Sequence, residues 1–228
     1  MASRLNSVVA GQQAAAPQDD AVTASPPYWD QACGALMRAD RVMRRLIPVH
    51  GQARLHSRGD AFQTLARSIV GQQISVTAAQ SVWQRLCAGC GSIEPATLLA
   101  QSPESLRAAG LSQRKVEYLR DLAGRFDQGL VHPPQWHAMA DEEIIAELVA
   151  IRGIGRWTAE MFLMFHLLRP DVLPLDDLGL RRGISQCYFS GEAVSRSELR
   201  EVASAWEPWR SVGTWYIWRS LDPVPVEY

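Results

Sequence analysis

The sequence predicts an all-α protein, and three features carry that prediction. Apolar residues recur at three- and four-residue spacing along most of the chain, the period of a helix with one buried face. Several segments open on Ser or Asp with Pro, Asp or Glu close behind, which is how helices begin. No stretch alternates apolar with polar residues long enough to mark a half-buried strand. With 228 residues, 47% of them hydrophobic and 21% charged, the chain can fill one large core or two small ones, which excludes disordered and collagen-like classes.

The elements follow in order. Residues 1–27, rich in Ala, Gln, Ser and Pro, read as a loose tail ending at Ser25-Pro26-Pro27, and residues 28–228 as the folded part. Trp29 to Ile47 carries Leu36, Met37, Val42, Met43 and Leu46 at helical spacing until Pro48 blocks it. Asp60 caps a helix bearing Phe62, Leu65, Ile69 and Val70, and Val76 to Cys87 forms the next. Ser102-Pro103-Glu104 is a helix start. Ser112 opens a helix with Val116, Leu119, Leu122 and Phe126 inward, stopped at Gly129. Asp141-Glu142-Glu143 opens another with Ile144, Ile145, Leu148 and Ile151, its carboxylates matching the helix dipole. After Gly153-Ile154-Gly155 a helix resumes through Trp157, Met161, Met164 and Leu168. Helices near Leu180–Phe189, Ser197–Trp206 and Ser211–Leu221 complete about ten.

Composition narrows the function classes. The most apolar run, Met161 to Leu168, is broken by His166 and is too short to span a bilayer. The N-terminus lacks the apolar core of a secretory signal, so the expected location is the cytoplasm. Cys33, Cys87, Cys90 and Cys187 are too few and scattered for a disulfide framework, and Cys87-Ala-Gly-Cys90 has no second Cys/His pair to complete a metal site. His166 reads as a core histidine, and Arg38, Arg41, Arg44 and Arg45 as a solvated helix face. A net charge of −1 makes any nucleic-acid contact local. Eight tryptophans suit either core anchors or stacking surfaces for planar ligands.

The most informative stretch is LVAIRGIGRWTAEMF, residues 148–162, where two amphipathic helices are joined by Gly153-Ile154-Gly155 alone. A turn this tight needs backbone freedom, and the glycines let a ligand approach the amides of Gly153, Gly155 and Thr158 at a helix N-terminus, a natural phosphate site. The segment matches the helix-hairpin-helix pattern, apolar-x-Gly-apolar-Gly-x-x-Thr-Ala, from Ile151 through Ala159. About twenty residues on, within a loop at 170–180, comes Leu173-Pro174-Leu175-Asp176-Asp177-Leu178-Gly179-Leu180.

Together these resemble the signature of the helix-hairpin-helix (HhH-GPD) DNA glycosylase superfamily, most closely its 3-methyladenine DNA glycosylase II (AlkA-type) branch in a compact form. WEPWRSVGTWYIW, residues 206–218, resembles that branch's C-terminal segment, and SIVGQQISVTAA, residues 68–79, its wedge region. The resemblance covers roughly residues 52–221 and implies a two-lobed helical fold. Its register makes Asp177 the catalytic carboxylate rather than Asp176, although either also suits the cap of the next helix. It places Trp157, Met161, Leu178 and Trp218 around the base pocket; Met161 and Leu178 stand where relatives carry aromatics, a narrower aromatic lining.

The resemblance further implies that Gln73, or failing it Ile74, fills the space left by a flipped nucleotide. Phosphates would sit at the hairpin and at the helix start of Ser112 with Arg114 and Lys115. A sodium or potassium ion would rest on the carbonyls of Val149, Ile151 and Ile154. Trp157 replaces the lysine of bifunctional members, so no Schiff base forms. The four clustered cysteines of an iron–sulfur loop are absent. The expected activity is hydrolysis of the N-glycosidic bond of alkylated purines in duplex DNA, by a monomer with no other cofactor. Deaminated, oxidised or mismatched bases, and DNA binding without chemistry, are the alternatives.

Overall fold

The structure, a computed structural model, describes residues 25–51, 53–57 and 60–221. Nearly all of the expected tail and the last seven residues lie outside the described residues. Twelve α-helices make up the described chain: α1 (Trp29–Ala39), α2 (Arg41–Val49), α3 (Ala61–Gly71), α4 (Val76–Cys90), α5 (Pro95–Ala100), α6 (Pro103–Ala108), α7 (Gln113–Asp127), α8 (Asp141–Val149), α9 (Arg156–Phe165), α10 (Leu178–Tyr188), α11 (Arg196–Ser204) and α12 (Arg210–Leu221), with a 3-10 turn at Pro133–Ala138. The all-α expectation holds.

They enclose two hydrophobic cores. The first is built from α3 to α9 around Leu65, Ile69, Leu119, Leu122, Leu148 and Leu163. The second joins the chain's two ends, packing α1 and α2 against α10 to α12 around Leu36, Met43, Ile184, Trp206 and Tyr216. Phe165 borders both cores, and Trp218 of α12 packs against the first. The connection from α9 to α10 therefore runs along the seam between the lobes. Tyr28 holds it from the N-terminal side, its hydroxyl donating to the Leu168 carbonyl at 2.6 Å.

Four expectations are corrected. The segment from Trp29 is two helices, because Asp40 is extended and caps α2, accepting from the amides of Val42 and Met43 at 2.6 and 3.1 Å. Its second oxygen accepts from the Tyr188 hydroxyl and the Trp206 indole, so a buried carboxylate ties α2 to the C-terminal helices. Pro48 lies inside the last turn of α2, since a proline there sacrifices only a terminal bond. The helix after the hairpin stops at Phe165 rather than Leu168, which has φ of +54°. Finally α5 was not expected; six residues show no period, and its capping box is formed by Glu94 and Thr97.

Candidate active site and nucleic-acid interface

Asp177 is the N-cap of α10 and only 9% exposed. Its Oδ1 accepts the Leu180 amide at 2.5 Å and the Trp218 indole N–H at 2.8 Å; its Oδ2 accepts the Trp157 indole N–H at 2.8 Å. Trp157 belongs to the first turn of α9 in one lobe and Trp218 to α12 in the other. The carboxylate is thus held from both sides of the seam. All three donors are N–H groups, so it meets them as an acceptor. Two donors fill Oδ1, whereas Oδ2, with one donor, keeps one acceptor position. Asp176 turns the other way, exposed and paired with Arg196 at 3.2 Å.

The four expected pocket residues separate. Trp157 is 38% exposed, and Trp218 lies half-buried with one face stacked on Phe165, centroids 6.0 Å apart and planes within 11°. Met161 is 4% exposed and part of the first core, while Leu178 is 75% exposed beside Asp177. Sequence reasoning did not single out Phe165; it lies one helical turn beyond Met161 on α9, a spacing that could have flagged it.

Hairpin geometry begins with Gly153, at φ of +86°; a Cβ there would stand 2.2 Å from the Tyr118 ring of α7. No other residue fits without displacing Tyr118. Ile154 is buried behind the turn, the Arg152 amide donates to Asp121 at 2.8 Å, and the Gln72 side chain donates to the Gly153 carbonyl at 2.8 Å. Around Gly155, the N-cap of α9, there is open space on the Cβ side. The first-turn amides through Thr158 have no intrahelical acceptor. Arg156 bonds Glu142 through both terminal nitrogens and the buried Glu160 through Nε at 3.0 Å, clamping α9 to α8. Burial pushes the Glu160 carboxyl up, against the pull of Arg156. Of the carbonyls of Val149, Ile151 and Ile154, that of Ile151 already accepts the Ile154 amide at 3.1 Å.

The wedge region is the loop between α3 and α4. Gln73 stands at its apex, exposed and with φ of +59°, a conformation costly for a residue with a side chain. Ile74 is exposed beside it, and Val76 is 86% exposed. Ser112 caps α7 by accepting the Lys115 amide at 3.3 Å. The Lys115 ammonium points inward, donating to the Val70 carbonyl at 2.8 Å, and desolvation lowers its pKa. It therefore caps the C-terminus of α3 and steadies the wedge loop.

A second hairpin repeats the design of the first. Gly110, Leu111 and Ser112 join α6 to α7 as Gly153, Ile154 and Gly155 join α8 to α9: each glycine has positive φ, each central residue is buried, and each third residue is an extended N-cap.

Comparison with known proteins places this architecture. The family model described as HhH-GPD superfamily base excision DNA repair protein matches residues 66–210. The chain belongs to that superfamily. A putative DNA-3-methyladenine glycosylase of Bacillus subtilis, YfjP, is 30% identical over 169 residues, 71% of this chain and 59% of that protein, so the chain spans less than two thirds of that relative's length. The crystal structure of a DNA-3-methyladenine glycosidase from Bacillus halodurans superposes with a TM-score of 0.79 at 34% identity, covering 88% of this chain and 92% of that one. The Schizosaccharomyces pombe 3-methyladenine DNA glycosylase in complex with abasic DNA superposes with a TM-score of 0.70 at 27% identity, covering 86% and 100%.

Proposed function

We propose that the protein is a monofunctional DNA glycosylase that hydrolyses the N-glycosidic bond of alkylated purines in duplex DNA, opening base excision repair. The observation that carries this is the Asp177 carboxylate, fixed by three N–H donors at the seam and left with an open acceptor on Oδ2. The named relatives, glycosylases for 3-methyladenine, support the substrate class.

The chemistry follows from the site. A base inside a duplex is out of reach, so the nucleotide is extruded while Gln73, with Ile74 beside it, fills the gap. A purine methylated at N3 or N7 carries positive charge, and cation–π attraction to an indole is worth roughly 0.5–2 kcal/mol. Trp157 and Trp218 supply that attraction, with the exposed Leu178 next to Asp177. As the C1′–N bond breaks, its electron pair passes to the base and neutralises it, while positive charge develops on the sugar. The Asp177 carboxylate stabilises that charge. Oδ2 orients the water that adds to C1′, whose proton is released to solvent. No amine stands at Trp157 to trap the sugar, so the abasic strand stays intact.

The amides of Gly153, Gly155 and Thr158 hold a phosphate next to the lesion, and the start of α7 at Ser112 holds a second. Lys115 serves there by steadying the wedge loop rather than by touching DNA. The carbonyls of Val149, Ile151 and Ile154, a neutral oxygen set, fit a weakly held sodium or potassium ion that would add positive charge beside the phosphate. Wedge, hairpin and carboxylate all come from one chain, which supports action as a monomer. Among the described residues no helix is long and apolar enough to cross a membrane; we place the protein in the cytoplasm, on the nucleoid if it is bacterial.

The test is to incubate wild type and Asp177→Asn with dimethyl-sulfate-treated duplex and measure free methylpurines by chromatography, without alkali. Release by wild type alone, with strands uncut, is expected. Strand cleavage, or equal release by the variant, contradicts the mechanism.

A further inference from the structure

Gly179 stands in the first turn of α10 with ordinary helical backbone angles. Glycine is a poor residue there, because alanine loses less entropy on entering a helix. Space explains it. A Cβ at this position would lie 3.1 Å from Asp177 Oδ1 and 3.3 Å from Cδ1 and Nε1 of Trp218. It would press on the gap crossed by the 2.8 Å bond between the Trp218 indole and Oδ1. One turn on, a Cβ at Gly183 would stand 2.3 Å from Ile217 Cγ2 and 3.1 Å from the Ile217 carbonyl oxygen. The axes of α10 and α12 thus approach through two glycines, and that approach lets Trp218 reach the cap of α10.

Helix α12 has little freedom to withdraw. Buried Ser211 binds the connecting loop three times: its amide donates to the Pro170 carbonyl at 3.0 Å, its hydroxyl donates to the Arg169 carbonyl at 2.6 Å, and its Oγ accepts the Val172 amide at 2.9 Å. Arg210 adds a two-pronged ion pair to Asp171, at 2.7 and 2.8 Å. A methyl group at 179 must therefore be accommodated by the indole or the carboxylate.

We propose that Gly179 is a positioning residue for the glycosylase reaction: by leaving that gap open it lets Trp218 set the rotation of the Asp177 carboxylate, and so the direction in which Oδ2 presents its remaining acceptor. This rests on the reading of Asp177 as the group that stabilises the sugar cation. A small rotation of a charge that must meet the developing cation is expensive in rate, although it disturbs no DNA contact.

The experiment compares wild type, Gly179→Ala, Trp218→Phe and the double variant in three measurements: single-turnover release of 7-methylguanine, affinity for an abasic-site duplex, and the ¹H–¹⁵N resonance of the Trp218 indole, assigned by its loss in Trp218→Phe. Gly179→Ala is expected to melt at or above the wild-type temperature, bind abasic DNA within about twofold, and release base about tenfold more slowly. In the Trp218→Phe background it is expected to add less than about twofold, because both changes act through one bond. The indole proton should move upfield as that bond lengthens. Wild-type release by Gly179→Ala, full additivity of the two losses, or an unmoved indole resonance overturns the proposal. If wild type itself releases no methylpurine the proposed function fails, and the indole resonance still decides whether Gly179 sets the Trp218–Asp177 bond.

Discussion

The indole nitrogen of Trp218 donates to Asp177 Oδ1 at 2.8 Å, joining the C-terminal helix α12 to the carboxylate that caps α10. With Trp157 on Oδ2 at 2.8 Å, each lobe contributes one indole to the same side chain. Both tryptophans therefore orient the acid, besides the base-stacking role proposed for them.

Trp157→Phe separates these two roles, because it keeps an aromatic face and loses the donor. A hydrogen bond to a charged group contributes about 1.5–3 kcal/mol. The expected result is a roughly tenfold to hundredfold slower single-turnover release. Retention of the wild-type rate in a rapid-quench assay would mean that only the ring face matters.

Gln73→Gly removes a strained conformation, since φ of +59° costs a side chain of order 1 kcal/mol and glycine nothing. The variant should melt slightly higher than wild type. It should also excise more slowly from duplex, because glycine cannot fill the gap of a flipped nucleotide. Thermal melting and excision assays on one preparation check both; a loss of stability argues against strain at the apex.

Gly153→Ala places a methyl group into the Tyr118 ring at a positive φ, and overpacking of this kind costs about 1–3 kcal/mol. Unfolding midpoints in urea should fall and DNA affinity with them. Adding Tyr118→Ala should restore part of both, leaving the cost of the backbone angle alone. No recovery in the double variant would show that the clash is not the cause.

Acid stability has a definite sign at Glu147. Burial pushes its carboxyl up, but hydrogen bonds from the His132 ring and amide and the Trp136 indole outweigh that and hold it below the ordinary range. A depressed folded value contributes stability that is complete above the unfolded value, about 4.3, and is lost as pH falls through the folded one. Unfolding midpoints measured from pH 6 to pH 3 should decline less steeply in Glu147→Gln than in wild type. Parallel profiles would exclude this carboxylate as an acid-range determinant.

The hairpin and the aspartate loop were legible in the sequence because their geometry is local: glycines at 153 and 155 and an aspartate three residues before Leu180 dictate a turn and a cap by themselves. What the sequence concealed depends on which face of one helix meets another. Trp157 and Trp218 were read as stacking surfaces, and nothing along the chain says that their N–H edges converge on one carboxylate. Lys115 was read as a phosphate contact at a helix start, yet its stem reaches back to the Val70 carbonyl. Met161 and Leu178 were grouped as pocket residues; one is core and the other open to solvent. The short α5 escaped notice since one turn and a half carries no period. The helix runs past Pro48 to Val49, two residues beyond Ile47, because a proline so near the end gives up a single terminal bond.

In the proposed mechanism Asp177 performs the chemistry from a position fixed before substrate arrives. The most direct measurement is the single-turnover rate of 7-methylguanine release by wild type and Asp177→Asn, with the affinity of each for duplex DNA measured alongside. A loss of at least about a hundredfold in rate is expected, the cost of removing one preorganised charge from a reacting centre, with affinity within a few-fold. Release by Asp177→Asn at near the wild-type rate would contradict it and move the chemistry elsewhere in the seam.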